Sequence, residues 1–338
     1  MTKSQLISIL QAAAMLLSPT VAGAADKLPA LGADPARTSV SGLSSGAFMA
    51  VQYDVAYSKT TRGIGVVAGG PYNCAFVNVG GIATCLQGIP LGSASYEAAR
   101  GFAAIGQIDP VENLAKSKVY LFSGTNDPVV KQSVMDSVRD FYTLANVPAA
   151  NLVYVNNVAS GHAFISPRFG NLCATTAPPF VNECRVENSG LYDQPGAILT
   201  QIYGSLNAKT KILSAKPVAF DQTEFASPLT GMAAIGNLYI PSSCQNATAK
   251  NCAVHVVFHG CKQGAMEVGD AVYGKAGYNE WADTNSIVVL YPQLDPTDIP
   301  DNPEGCWDWW GYTGLNFQTQ SGQQLSAIRA MVQRLTKQ

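Results

Sequence analysis

Residues 37–58 read RTSVSGLSSGAFMAVQYDVAYS, and this stretch decides the fold. Its first part, Arg37 to Leu43, is a short β-rich run. From Ser45 onward the apolar residues Phe48, Met49, Tyr53 and Ala56 recur at helical spacing. At the junction, Gly42-Leu43-Ser44-Ser45-Gly46 forms Gly-x-Ser-x-Gly. A serine on a sharp strand-to-helix turn, with glycines two residues to either side, is the arrangement of a nucleophile elbow. A serine hydroxyl becomes a nucleophile only when a base takes its proton. The rest of the chain is therefore read for that base and for the acid that orients it.

The chain has three histidines. His255 and His259 share one strand-like run, CAVHVVFHGC, while His162 lies in a glycine-flanked loop after the strand-like NLVYVNNV. A catalytic base belongs on such a loop, so His162 is the expected base. The acid is expected between serine and histidine in chain order. Asp127 in VYLFSGTNDPVV stands just beyond a buried strand, where a carboxylate can hold an imidazole in the right tautomer. Asp109 and Asp136 are weaker candidates, one in a loop before a helix and one on a helix face. Ser45 supplies the backbone N–H after the nucleophile, half of an oxyanion hole. His255 and His259 would point to the same face of a strand, but no third ligand lies nearby. No metal and no cofactor are expected.

Strand and helix patterns alternate around these residues. GIGVVAGG, KVYLFSG and NLVYVNNV read as strands, VENLAKS and KQSVMDSVRDFYTLANV as helices. A second series follows an irregular region, 164–235, that holds one good helix, QPGAILTQIYGSL. GNLYIPSSC, CAVHVVFHGC and SIVVLYPQ read as strands, YGKAGYNEWADTN and GQQLSAIRAMVQRLTK as helices, and NPEGCWDWWGY as a loop. Such alternation predicts an α/β fold, mostly parallel sheet with helices on both faces, and the elbow places it with the α/β hydrolases.

Composition narrows the setting. Of 338 residues, 13% are charged and the net charge is −2, which gives no electrostatic reason to bind nucleic acid or an anionic membrane surface. Lys3, the apolar run LISILQAAAMLLSPTV and Ala22-Gly23-Ala24 follow the order of a secretory signal over 1–24, leaving one catalytic domain over 25–338, expected to be a monomer. No other run approaches the 18 apolar residues of a membrane span. Eight cysteines fit an oxidising compartment, hence a secreted (extracellular or periplasmic) protein. Proximity along the chain pairs Cys74 with Cys85, Cys173 with Cys184 and Cys244 with Cys252, leaving Cys261 and Cys306. Asn246-Ala247-Thr248 is a glycosylation sequon.

One feature of chain order stands out. The run VVFHGC reads as an oxyanion loop, a strand followed by His-Gly and a residue whose N–H faces the substrate. In an ordinary α/β hydrolase that loop precedes the nucleophile; here it follows His162. The segments VVFHGCKQG, IVVLYPQ, CWDWW and GLSSGAFMA together resemble the extracellular polyhydroxyalkanoate depolymerases and the related feruloyl and acetylxylan esterases. Their order resembles the circularly permuted, single-domain poly(3-hydroxybutyrate) depolymerases. The resemblance covers nearly all of the chain after the leader and implies Ser44 as nucleophile, Asp127 as acid and His162 as base. It further implies the N–H groups of Ser45 and Cys261 as oxyanion hole, and Trp307 as lining of the substrate crevice. Trp309 and Trp310 either share that role or belong to the core, with Trp310 taken as a second substrate contact. A Cys261–Cys306 bridge would tie the oxyanion loop to this tryptophan loop. The implied activity is hydrolysis of a polyester through an acyl-enzyme. The same triad would equally serve a feruloyl or acetylxylan-type esterase or a hydrolase of soluble hydroxybutyrate oligomers.

Overall fold

The computed structural model describes residues 25–186, 190–245 and 251–337. The expected leader over 1–24 and the sequon at 246–248 lie outside the described residues. In chain order, β1 (Thr38–Leu43) leads directly into α1 (Ser45–Ala56), followed by β2 (Thr61–Val67). Three helices, α2 (Cys74–Val77), α3 (Gly81–Gln87) and α4 (Gly92–Ala104), precede β3 (Lys118–Gly124), α5 (Gln132–Leu144) and β4 (Leu152–Val158). The region expected to be irregular carries short strands, β5 (Phe164–Ile165), β6 (Asn171–Leu172), β7 (Val181–Glu183), β8 (Arg185–Val186) and β9 (Gly190–Leu191), then α6 (Gln194–Tyr203) and β10 (Val218–Asp221). The last part comprises β11 (Ile235–Tyr239), β12 (Ala253–Phe258), α7 (Ala265–Val268), α8 (Tyr278–Thr284), β13 (Ile287–Tyr291) and α9 (Gln323–Thr336).

The main sheet has the order β10-β11-β13-β12-β1-β2-β3-β4. The run from β13 to β4 is parallel throughout, and β11 and β10 add an antiparallel edge. Strands buried on both faces need apolar side chains in both directions. Accordingly every residue of β12 and β13 is buried, whereas the edge strand β4 is half exposed. On one face Val40, Ile64, Leu121 and Val256 pack with α1, α5 and α9. On the other, Val67, Tyr120, Val257 and Val289 pack with α6 and α8. Strand β1, which leads to Ser44, thus sits mid-sheet and mid-core.

Local chemistry explains where elements begin and end. Helix α6 starts because Asp193 accepts from the Gly196 N–H and Pro195 stands in the first turn; it stops at Gly204, with φ of 84°. The expected helix at 273–285 is shorter, because Gly277 (φ 109°) delays α8 to Tyr278. VENLAKS forms a 3₁₀ rather than an α-helix, Val111–Lys116. Three disulfides join the pairs expected from proximity, at sequence separations of 11, 11 and 8, and the fourth joins the remaining pair, Cys261 and Cys306, at a separation of 45. The two ends of the described chain meet: the N–H groups of Leu31 and Ala33 donate to the Leu335 carbonyl, and that of Gly32 to Lys337.

A carboxyl group is sealed in the core on α1. Asp54 of α1 is wholly buried, and its hydrogen-bond donors are the hydroxyls of Tyr142 (2.8 Å) and Ser117 (3.2 Å). Burial pushes its pKa up to about 7. An unfolded aspartate titrates near 4, so between roughly pH 4 and 7 the folded protein holds a proton that the unfolded chain has lost. Stability therefore falls as pH rises through that window, by at most about 1.4 kcal/mol per pH unit. Asp54→Asn is expected to match the wild type near pH 4 and exceed it at pH 8 in urea unfolding. Parallel pH profiles for the two proteins would contradict this.

Candidate active site

The elbow is built by sterics. Strand β1 ends at Leu43 and α1 begins at Ser45, so Ser44 takes the whole turn, with φ 56° and ψ −124°. A non-glycine residue in this region stores strain, which the packing around it must hold. Both flanking glycines are required by space. A Cβ on Gly42 would lie 2.2 Å from the Gly46 carbonyl oxygen, and one on Gly46 would lie 2.3 Å from that of His259. Ser45 opens α1, so its N–H has no intrahelical acceptor.

Asp127 follows β3 in a loop held by its own carboxylate. One oxygen, Oδ1, accepts from the N–H groups of Val129 (2.8 Å) and Val130 (3.0 Å). The other, Oδ2, lies 2.8 Å from Nδ1 of His162. A carboxylate only accepts, so Nδ1 carries the proton and donates. Nε2 is left without a protein partner among the described residues. The His162 loop is fixed in turn: the His162 N–H donates to Thr176 Oγ1, and Gly161 admits no Cβ, which would meet the Thr175 carbonyl at 2.4 Å. The weaker acid candidates are engaged elsewhere. Asp109 accepts from the Lys59 N–H and from Gln320, and Asp136 pairs with Arg139.

Ser44, Ser45, His162 and Cys261 line one cavity of about 390 Å³. Its walls are largely apolar: Leu43, Phe48, Ile82, Leu86, Val129, Phe180, Trp309 and Trp310. Lys262 and Glu304 pair at 2.8 Å on the wall. The Cys261–Cys306 bridge joins the loop after β12 to the tryptophan loop, as expected. The Cys261 N–H donates to no acceptor among the described residues.

Trp307, expected in the crevice lining, lies elsewhere. It does not line the cavity but is fully buried, its ring edge-on to Phe258 and tilted against His259. The reason is the neighbouring Asp308. Its buried carboxylate accepts from the N–H groups of Trp310, Gly311, Tyr312 and Thr313 and from the Thr313 hydroxyl. That tight wrap sends residue 307 inward and presents residues 309 and 310 to the cavity. Trp309 stacks on Phe48 with ring centroids 4.1 Å apart. Phe48 was missed as a wall residue, although it stands four residues after Ser44 on α1, one turn away on the same face. Ile82, Leu86 and Phe180 come from distant loops and carry no local signal.

The other two histidines do not share one face. His255 lies in β12, clamped between the hydroxyls of Ser39 (2.7 Å) and Ser41 (2.8 Å), with Tyr278 stacked on it. Burial pushes its pKa down to about 3, so this serine–histidine contact is a neutral core network without access to the cavity. Strand β12 ends at Phe258, so the alternation of the strand stops before His259, whose ring turns to Trp307 and the Leu294 N–H.

No protein-family model matches the chain. The chain is 46% identical over 322 residues to a poly(3-hydroxybutyrate) depolymerase of Delftia acidovorans, spanning 93% of this chain but only 62% of that protein. It is 37% identical over 328 residues to a polyhydroxybutyrate depolymerase of Talaromyces funiculosus, covering 92% of this chain and 93% of the relative. The crystal structure of the PHB depolymerase from Penicillium funiculosum superposes with a TM-score of 0.83 at 35% identity, over 92% of this chain and all of that one. A serine-to-alanine variant of a PHB depolymerase, complexed with an R3HB trimer, matches equally well, with a TM-score of 0.83 at 34% identity over 92% of this chain and all of that one.

Proposed function

The chain belongs to the poly(3-hydroxybutyrate) depolymerase family, and on that premise we propose that it is a secreted serine esterase that cuts poly(3-hydroxybutyrate) into short oligomers and monomer. The observation that carries the assignment of residues is the 2.8 Å contact of Asp127 with His162 on the wall of the cavity that strained Ser44 also lines. In this reading Ser44 attacks an ester carbonyl while His162 Nε2 takes its proton. The N–H groups of Ser45 and Cys261 receive the developing oxyanion. The alcohol end of the chain leaves with the proton from His162. Water, activated by the same imidazole, then releases the hydroxyacyl group from Ser44. Asp127 keeps the imidazole in the Nδ1–H tautomer throughout.

The aromatic walls suit a polyester, because large rigid rings cover alkyl ester units at little entropic cost. Beside the cavity, Phe76, Val79, Ile82, Ile89 and Leu91 are exposed on and around α2 and α3, with Leu315 close to Phe317, on which Phe76 packs. This rim supports adsorption to the solid directly beside the cavity; a single catalytic domain over residues 25–338 acting as a monomer is part of the same proposal. The four disulfides support secretion. Support for a circularly permuted order comes from β12, which pairs with β1 yet follows His162 in the chain, and from the hydrogen-bonded ends.

The test is clearing of a poly(3-hydroxybutyrate) granule suspension, with product identification. Clearing with release of hydroxybutyrate and its oligomers is expected, without hydrolysis of feruloyl or acetylxylan esters. Converting Val79 and Ile89 to serine is expected to slow clearing by more than about tenfold and to leave hydrolysis of a soluble trimer unchanged. Each loses burial of a large aliphatic side chain against the solid, on the order of 1 kcal/mol or more. Intact granules beside rapid cleavage of a plant-polymer ester would overturn the substrate.

A further inference from the structure

Among the described residues that line the catalytic cavity, two carry a formal charge, Lys262 and Glu304. Lys262 follows Cys261 directly and Glu304 precedes Cys306 by two residues, so the Cys261–Cys306 bridge brings them side by side. The Lys262 N–H also donates to the Glu304 carbonyl at 2.7 Å. With both backbones clamped, Nζ meets Oε1 at 2.8 Å although each side chain is half exposed. The hydrogen bond with Glu304 raises the Lys262 pKa, so the ammonium keeps its charge. Glu267 feels this pair as well. Burial raises its pKa, Lys262 lowers it, and the charges of Glu304 and Asp295 raise it. One ammonium thus stands among three carboxylates at this corner of the cavity.

Hydrolysis changes the charge of what the cavity holds. A polyester chain is neutral at every internal unit. Cleavage yields a neutral alcohol and a carboxylic acid, which gives its proton to buffer above about pH 5. The new carboxylate forms at the carbon attached to Ser44, between the N–H groups of Ser45 and Cys261, whichever way the chain runs. Lys262 is the next residue after Cys261, its Cα about 3.8 Å further on. A free ammonium there offers the product a charge-assisted hydrogen bond and retains it. The neutral ester has no such partner to gain.

We propose that Glu304 masks Lys262 and thereby sets the cavity to take a neutral ester and release its acid product. This rests on the triad reading above and adds to it a residue that governs the choice between ester and acid. Glu304 acts through Lys262, by occupying Nζ and cancelling its charge, while Glu267 and Asp295 leave the surroundings negative.

The experiment follows hydrolysis of the methyl ester of an R3HB trimer and measures the inhibition constant, Ki, of (R)-3-hydroxybutyrate, with the uncharged (R)-3-hydroxybutyramide as control. Glu304→Gln is expected to lower Ki for the acid about fivefold, the upper end for a half-exposed ion pair, and to leave Ki for the amide within twofold. The difference is expected to shrink in 1 M salt, where charges are screened beyond about 3 Å. Lys262→Met keeps the apolar stem without the charge and is expected to raise Ki for the acid above that of the wild type. Combining it with Glu304→Gln is expected to return Ki to within twofold of the wild type. Wild-type Ki for the acid in Glu304→Gln overturns the proposal. So does an equal shift for the amide, or a double variant as strongly inhibited by the acid as Glu304→Gln. If Glu304→Gln does not fold, Lys262→Met decides, since a Ki at or below that of the wild type overturns the proposal as well. Failure of the triad reading is separable, since Ser44→Ala would then still hydrolyse the ester, whatever the inhibition constants.

Discussion

Ser44→Ala is expected to fold like the wild type and to lose about 10⁶-fold in kcat, to the limit of detection on a soluble trimer. Two features make the loss clean. Ser44 Oγ donates to and accepts from no protein group among the described residues, so removing it leaves no orphaned partner. The strained backbone at φ 56° is already enforced by Gly42, Gly46 and the burial of α1, and alanine meets the same constraint as serine. Tm within a few degrees of the wild type is therefore expected. The large kinetic effect follows because the nucleophile, base and acid act as a unit. Near-normal turnover by a folded Ser44→Ala protein would contradict the whole assignment.

Asp127→Asn is expected to cost about 10⁴-fold in kcat, with substrate binding little changed. The orientation of the new amide is dictated by the loop. Its oxygen keeps the place of Oδ1, where the Val129 and Val130 N–H groups donate, so its NH₂ faces Nδ1 of His162. A donor there forces the imidazole to accept at Nδ1 and to carry its proton on Nε2. That ring then has no lone pair to take the serine proton. The measurement is kcat and KM beside Tm. A loss below tenfold would place the orienting acid elsewhere, although Asp109 and Asp136 are already engaged away from the cavity.

The parts of this site legible in the sequence are those with a local signal. Ser44 declares itself by the glycines on either side, and His162 and Asp127 stand just past β-rich runs, where sheet loops converge. Short-range disulfides follow from spacing. Helix and strand type held for the strongly patterned segments, β1, α1, α5 and α9. Helix α4 gave little signal because it packs on α5 with few buried residues, Gly92, Ser95 and Ala99. Strand β10 lies at an edge, half exposed, and pairs with β11, thirteen residues further on. Trp307 shows the limit most clearly. Which of three tryptophans in CWDWW faces the cavity depends on the turn wound around Asp308, and that turn is set by backbone N–H groups that side-chain pattern does not reveal.

The most direct test is a rapid acid quench of the protein turning over an R3HB trimer, followed by intact mass and peptide mapping. A hydroxybutyryl ester on the peptide that carries Ser44, absent from Ser44→Ala, is the predicted result. An acyl group mapped to any other residue, or steady turnover by Ser44→Ala, would contradict it.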